Sequence, residues 1–190
     1  MVAREHDATH FDEFVTLPEN ADKRFELIAG DIIEVVSNNL SSEIAMLIGA
    51  LITVYARQNN LGRVTGADGG YMIGEDRYIP DVAYISYTKQ PESSRAAYNP
   101  NPPDLVVEVL SPGNSADDIS TKVVNYMRAG VVVWLINPET QIATIYTTPD
   151  ARPEKLEING TIKGGEVLPG FELPMKDIFP AVDTPEDNAE

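Results

Sequence analysis

At 190 residues with 43% hydrophobic content the chain suits one domain with a full core, and the absence of cysteine excludes disulfides, thiolate zinc sites and cysteine nucleophiles. The 14 basic residues against 30 acidic ones give a formal charge of −16, which counts against a broad basic surface for a polyanion, since phosphate binding draws on Lys and Arg. The start, Met1 to Asp7, lacks the apolar core of a signal peptide and no run approaches membrane-spanning length, so a cytoplasmic protein without membrane contact is expected.

Residues 1–8 read as a polar tail, 9–180 as one domain, and 181–190, with Asp183, Glu186, Asp187 and Glu190, as a disordered acidic tail. Thr9 with Asp12 three positions on resembles a capping box, opening a short helix through Phe11, Phe14, Val15 and Leu17 that Pro18 ends. Phe25–Ile28 and Asp31–Val36 are strands joined at Ala29-Gly30, with Glu26 in the first. Ser41 or Ser42 is expected to cap a helix to about Asn60, whose stripe of Ile44, Leu47, Ile48, Leu51, Ile52 and Tyr55 is core. Gly66 to Gly70 lacks the Lys-Ser/Thr of a phosphate loop and reads as a turn or bulge. Tyr71–Ile73 and Ile79–Ser86 are expected to form a hairpin about Gly74 to Arg77, with Asp81, Ala83 and Ile85 on one face. A polar loop over 88–103 precedes a valine-rich strand, Leu105 to Leu110. A helix capped near Ser115 and closed by Gly130 comes next, then strands over 131–136 and 142–146, a final hairpin and a short helix at 176–179.

Glu108 stands alone in that apolar run, and a buried unpaired carboxylate costs several kcal/mol or more, so it requires a cation. A structural Arg or Lys partner is one solution; with Asp81 on a second core strand, a divalent metal is the other. Asp118, Lys122 and Tyr126 recur every four residues along the following helix and share a face. That face is either a solvated polar stripe or one directed at the end of the Glu108 strand, where sites in α/β sheets gather. His6 and His10 lack metal-ligand spacing, which leaves no Ser/His/Asp arrangement to favour.

Several segments in order resemble one family: Phe11-x-x-Phe14-x-x-Leu17-Pro18, Arg24-Phe25-Glu26-Leu27-Ile28-x-Gly30, Pro80-Asp81-Val82, Asp104-Leu105-Val106-Val107-Glu108-Val109-Leu110-Ser111-Pro112, Asp118-x-x-x-Lys122-x-x-x-Tyr126, Gly130-Val131 with Trp134, and Leu168-Pro169-Gly170-Phe171 with Ile178-Phe179. Over about residues 9–180 the chain is similar to the Uma-two family of restriction endonucleases, of the PD-(D/E)XK nuclease superfamily. The resemblance implies an α/β (α+β) fold, a restriction-endonuclease-like mixed β-sheet core flanked by helices with additional β-hairpins.

It also implies a Mg²⁺-dependent endonuclease acting on DNA, with Mn²⁺ as a substitute and a homodimer as an option. Asp81 and Glu108 become metal ligands, the Val109 carbonyl a third, and Glu26 a further acidic residue. The superfamily's usual lysine two places after the second carboxylate is Leu110 here, and the resemblance moves that role to Lys122, with Asp118 and Tyr126 positioning it. A histidine common in the family near Ser41 is absent, so Ser41 stays outside the catalytic set. A non-catalytic protein-binding module on the same fold and a hydrolase of small phosphoesters are the competing functions, both favoured by the acidic composition.

Overall fold

The computed structural model describes residues 8–179, so His6, most of the expected N-terminal tail and the whole 181–190 tail lie outside the described residues. Helix α1 (Ala8–Phe14) is followed by a 3-10 turn at Pro18–Asn20 and the pair β1 (Phe25–Ile28) and β2 (Asp31–Glu34). Ala29 and Gly30 join that pair with φ of 50° and 87°, the double left-handed conformation of a tight hairpin turn. Helix α2 (Asn39–Gln58) leads to β3 (Gly62–Gly66), β4 (Gly70–Ile73), β5 (Asp76–Tyr78), β6 (Val82–Ser86), β7 (Tyr98–Asn99) and β8 (Leu105–Val109). Helix α3 (Ala116–Arg128) precedes β9 (Val132–Asn137), β10 (Ile142–Tyr146), β11 (Glu154–Leu156), β12 (Thr161–Lys163), β13 (Glu172–Pro174) and a 3-10 turn at Met175–Asp177.

The strands form a six-stranded sheet in the order β11-β10-β9-β8-β6-β3, a five-stranded sheet in the order β2-β1-β5-β4-β7, and the hairpin β12-β13. Pairing is mixed: β8 runs parallel to β9 but antiparallel to β6. The architecture is the expected α+β one, with mixed sheets, flanking helices and added hairpins.

Period-two alternation in β8 decides where its carboxylate goes. Leu105, Val107 and Val109 pack with Ile44, Ile48 and Ile52 of α2, whereas Val106 packs with Val123 and Tyr126 of α3. Side chains two apart share a face, so Glu108 projects with Val106 toward α3 and the five-stranded sheet. In β6 the same rule sends Val82 to the α2 layer and Ala83 to the α3 layer.

Several local expectations are corrected. Thr9 lies inside α1 rather than capping it. Helix α2 is capped by Asn38, whose Oδ1 accepts from the Ser41 amide at 2.9 Å, and not by Ser41 or Ser42. Asn wins because its side chain reaches the third amide of the first turn. Ser41 instead donates its hydroxyl to the Leu110 carbonyl at 2.9 Å. Within the expected core stripe, Leu47 and Leu51 are exposed, because only one side of α2 meets the sheet. Strand β4 closes its hairpin with β5, while β6 belongs to the other sheet, so the segment from Tyr71 to Ser86 is divided between two layers. The loop expected over 88–103 contains β7, parallel to β4. The terminal segment is a 3-10 turn at Met175–Asp177 and not a helix at 176–179. Finally, contrary to the expectation that no run approaches membrane-spanning length, α2 is long and apolar enough, by length and composition, to cross a membrane. Its Ile44, Ile48, Ile52 and Ala56 are buried within the protein.

Candidate active site

Three elements bring their polar side chains to one point between the sheets. In β1, Phe25 and Leu27 enter one core cluster and Ile28 another, which puts Glu26 on the Ile28 side, facing α3. In α3, started by Ser115 accepting from the Asp118 amide, Lys122 and Tyr126 are one turn apart and both buried. From β8 comes Glu108. The Lys122 ammonium donates to Glu26 at 2.9 and 3.2 Å and pairs with Glu108 Oε1 at 2.9 Å. Glu26 Oε1 also accepts from the Ile79 amide at 2.6 Å, and Glu108 Oε1 accepts from the Tyr126 hydroxyl at 2.9 Å.

Asp81 immediately precedes β6, and its Oδ2 accepts from the Val109 amide at 2.7 Å. This bond ties the entry of β6 to the exit of β8. Glu26, Asp81, Glu108, Val109, Asp118 and Lys122 all line one cavity, with Lys122 the sole basic residue in its wall among the described residues. Sequence-predicted residues therefore converge there, but two roles differ from expectation. Tyr126 holds Glu108 rather than Lys122, and Asp118, half-buried on the cavity wall, makes no hydrogen bond or ion pair with Lys122 among the described residues. One helical turn separates Asp118 from Lys122, and the ammonium is engaged by the two glutamates instead.

Burial and charge act together here. Lys122, Glu108 and Glu26 are 5%, 6% and 7% exposed, so each would bear a desolvation cost of several kcal/mol if left unpaired. Burial pushes the Glu108 carboxyl up to about 7; Lys122 opposes this, and the neighbouring Glu26 and Asp81 reinforce it. Burial alone would lower Lys122, yet Glu108 and Glu26 outweigh it and hold the ammonium above its ordinary range. Burial likewise raises Asp81, against the pull of its Val109 hydrogen bond. A single ammonium thus faces more carboxylate than it can neutralise.

A supporting layer was not foreseen. Tyr78 donates to Asp76 Oδ2 at 2.6 Å, and Asn125 donates to the same oxygen at 2.8 Å. Asp76 Oδ1 accepts from the Ala29 amide at 3.0 Å, so one carboxylate fastens the β1-β2 turn, β5 and α3. The Tyr78 ring lies edge-to-face with Tyr126 at 5.2 Å and has the Lys122 ammonium 5.5 Å from its centroid. The only sequence signals were the Asp76-x-Tyr78 alternation and Asn125 adjoining Tyr126.

The donor set fits a small hard cation. Asp81 Oδ1 and Glu108 Oε2 take no hydrogen bond among the described residues, and both residues face the cavity. Mg²⁺ commonly uses one or two carboxylates and retains waters, so it does not demand a closed cage. No ready-made group of three or more His, Asp or Glu side chains in ligating geometry is present among the described residues.

A family model described as "Putative restriction endonuclease", Uma2, matches residues 11–176. The chain belongs to the Uma2 family. The match spans β1, β6, β8 and α3, the elements that build the cavity. Among solved structures, a crystal structure from Anabaena variabilis described as "a putative nuclease belonging to DUF820" is similar, with a TM-score of 0.77 and 24% identity over 88% of this chain and 96% of that one. At that identity the likeness establishes the Uma2 chain's fold. No curated protein matches it.

Proposed function

We propose that this Uma2 protein is a metal-dependent endonuclease that hydrolyses phosphodiester bonds in DNA, acting in the cytoplasm through one domain over residues 9–180. The observation that carries the reading is the buried bridge from Lys122 to Glu26 and Glu108 in the cavity that also holds Asp81. Family membership supports the same activity, through the description its model bears.

Asp81 and Glu108, joined by the Val109 carbonyl, would hold Mg²⁺, with Mn²⁺ able to substitute. When bound, such an ion polarises a phosphoryl oxygen and lowers the pKa of a coordinated water. Glu108 and Glu26 keep Lys122 protonated and anchored, so that its ammonium can stabilise negative charge developing on the phosphate. Tyr126 fixes the Glu108 carboxylate through Oε1, leaving Oε2 without a hydrogen bond among the described residues. The net charge of −16 favours one second reading, hydrolysis of a small phosphoester that needs no extended basic surface.

Incubating purified protein with single- and double-stranded DNA, RNA and a small phosphodiester, with Mg²⁺ or with chelator, separates the readings. Metal-dependent internal cuts in DNA support the endonuclease; turnover of the small ester alone supports the second reading.

A further inference from the structure

The outer face of α2 has no partner within the chain. Turning 100° per residue, α2 buries Ile44, Ile48, Ile52 and Ala56 on one side and presents Leu40, Met46, Leu47, Leu51 and Val54 on the other. Met46 is 73% and Val54 54% exposed, far more than apolar side chains on an ordinary helix face need be. The same flank opens onto a groove whose walls include Met46, Gly49, Ala50 and Val54 of α2 and Val64 and Ala67 beyond it. Between Glu43 and Arg57 the helix carries no charge at all.

We infer that this face pairs with a second copy of the chain, α2 against α2, antiparallel about a two-fold axis passing near Ala50. The charge pattern selects this occupant. A chain of net charge −16 repels its own kind, so self-association needs a face without acidic residues at its centre, and α2 supplies one. At its two ends stand exposed residues of opposite sign, Glu43 and Arg57, and Ala50 lies midway between them. A two-fold axis at Ala50 therefore sets Glu43 of each copy beside Arg57 of the other. Ala50 is also midway between Met46 and Val54, so the two most exposed apolar side chains of α2 meet across the axis, each beside the groove of the opposite copy. Isologous pairing requires this self-complementarity, and an unrelated partner would have no reason to respect it. The inference stands independently of the nuclease reading.

The cysteine-free chain makes the geometry testable with a single thiol. Sedimentation equilibrium of the full chain should give a dimer mass, and Ala50→Cys should oxidise to a disulfide-linked dimer, while Val124→Cys, exposed on α3, should not. Glu43→Arg should weaken the dimer about tenfold by turning two attractions into repulsions, and the double variant Glu43→Arg/Arg57→Glu should restore it. A monomer in sedimentation, a dimer that Ala50→Cys fails to link, or a double variant no tighter than Glu43→Arg would each overturn the inference. So would co-sedimentation of the wild-type chain with phosphatidylethanolamine and phosphatidylglycerol vesicles that Met46→Glu abolishes, which would assign the face to a bilayer.

Discussion

The Lys122 ammonium lies 2.9 Å from Glu108 Oε1, although the lysine stands midway along α3 and the glutamate near the end of β8. Leu110, two places beyond Glu108, carries no charge, and the helix supplies the cation that the strand does not. Because α3 also sends Tyr126 to the same carboxylate oxygen, the helix cannot shift along its axis without breaking both contacts. The cavity thus has a built-in reference point.

Replacing Lys122 by Met leaves Glu26 and Glu108 buried with no cation between them. Loss of one partner from a buried charge pair typically costs about 3–5 kcal/mol. Urea denaturation at pH 8 should show a loss of that order, shrinking at acidic pH as Glu108 is protonated. Unchanged stability at pH 8 would mean that the bridge contributes nothing to the fold.

Glu108 also sets a pH dependence opposite in sign to that of an ordinary ion-paired carboxylate. Its folded-state value is raised from 4.5 to about 7, so between those values the folded state binds more protons than the unfolded one, and stability falls as pH rises. Below 4.5 both states are protonated and the effect vanishes; above 7 the full penalty is present. In metal-free buffer Glu108→Gln should therefore flatten this slope and gain on the wild type between pH 5 and pH 8, by an amount on the order of 2 kcal/mol. Thermal or urea unfolding of both proteins across that range measures it. Parallel pH profiles would remove Glu108 as the source.

Much of this centre was legible in the sequence, and for identifiable reasons. Glu108 stands out as a charge in a valine-rich strand, and the four-residue spacing of Lys122 and Tyr126 fixes their common face from sequence alone. The Ser115 cap and the Ala29-Gly30 turn were readable from local chemistry alone. Strand pairing was not: alternation in Tyr71–Ser86 is equally compatible with one hairpin or with two strands entering different sheets, and only the burial of Tyr78 and Val82 in separate clusters distinguishes them. The same ambiguity hid Asp76, which lies outside any apolar run and acquires its role by reaching across to Tyr78, Asn125 and Ala29. Asp118 shows the converse error, since a shared helical face places residues near one another without making them partners.

Asp76→Ala should expose that hidden layer. It strips an acceptor from the buried Tyr78 hydroxyl and from the less buried Asn125 and Ala29 amides, and an unsatisfied buried donor costs roughly 1–3 kcal/mol. A loss of about 2 kcal/mol or more in chemical denaturation is expected. A loss below half a kcal/mol would show that water replaces the carboxylate without penalty.

DNA binding should be weak in chelator and stronger with Ca²⁺, because a bound cation offsets the acidic wall of the cavity. The affinity should fall as salt rises, with a shallow slope set by the few phosphates contacted. Fluorescence anisotropy over a salt series with and without Ca²⁺ checks this; tight, metal-independent binding would contradict it.

The most direct measurement is cleavage of supercoiled plasmid in low salt by the wild-type protein, Asp81→Ala and Lys122→Ala, paired with calorimetric Mn²⁺ titration of the same three. The account predicts metal-dependent nicking by the wild type, at least a hundredfold less by either variant, and no Mn²⁺ binding by Asp81→Ala. Cleavage or Mn²⁺ binding that survives intact in Asp81→Ala, or a wild-type protein that binds neither metal nor cuts DNA, would contradict it.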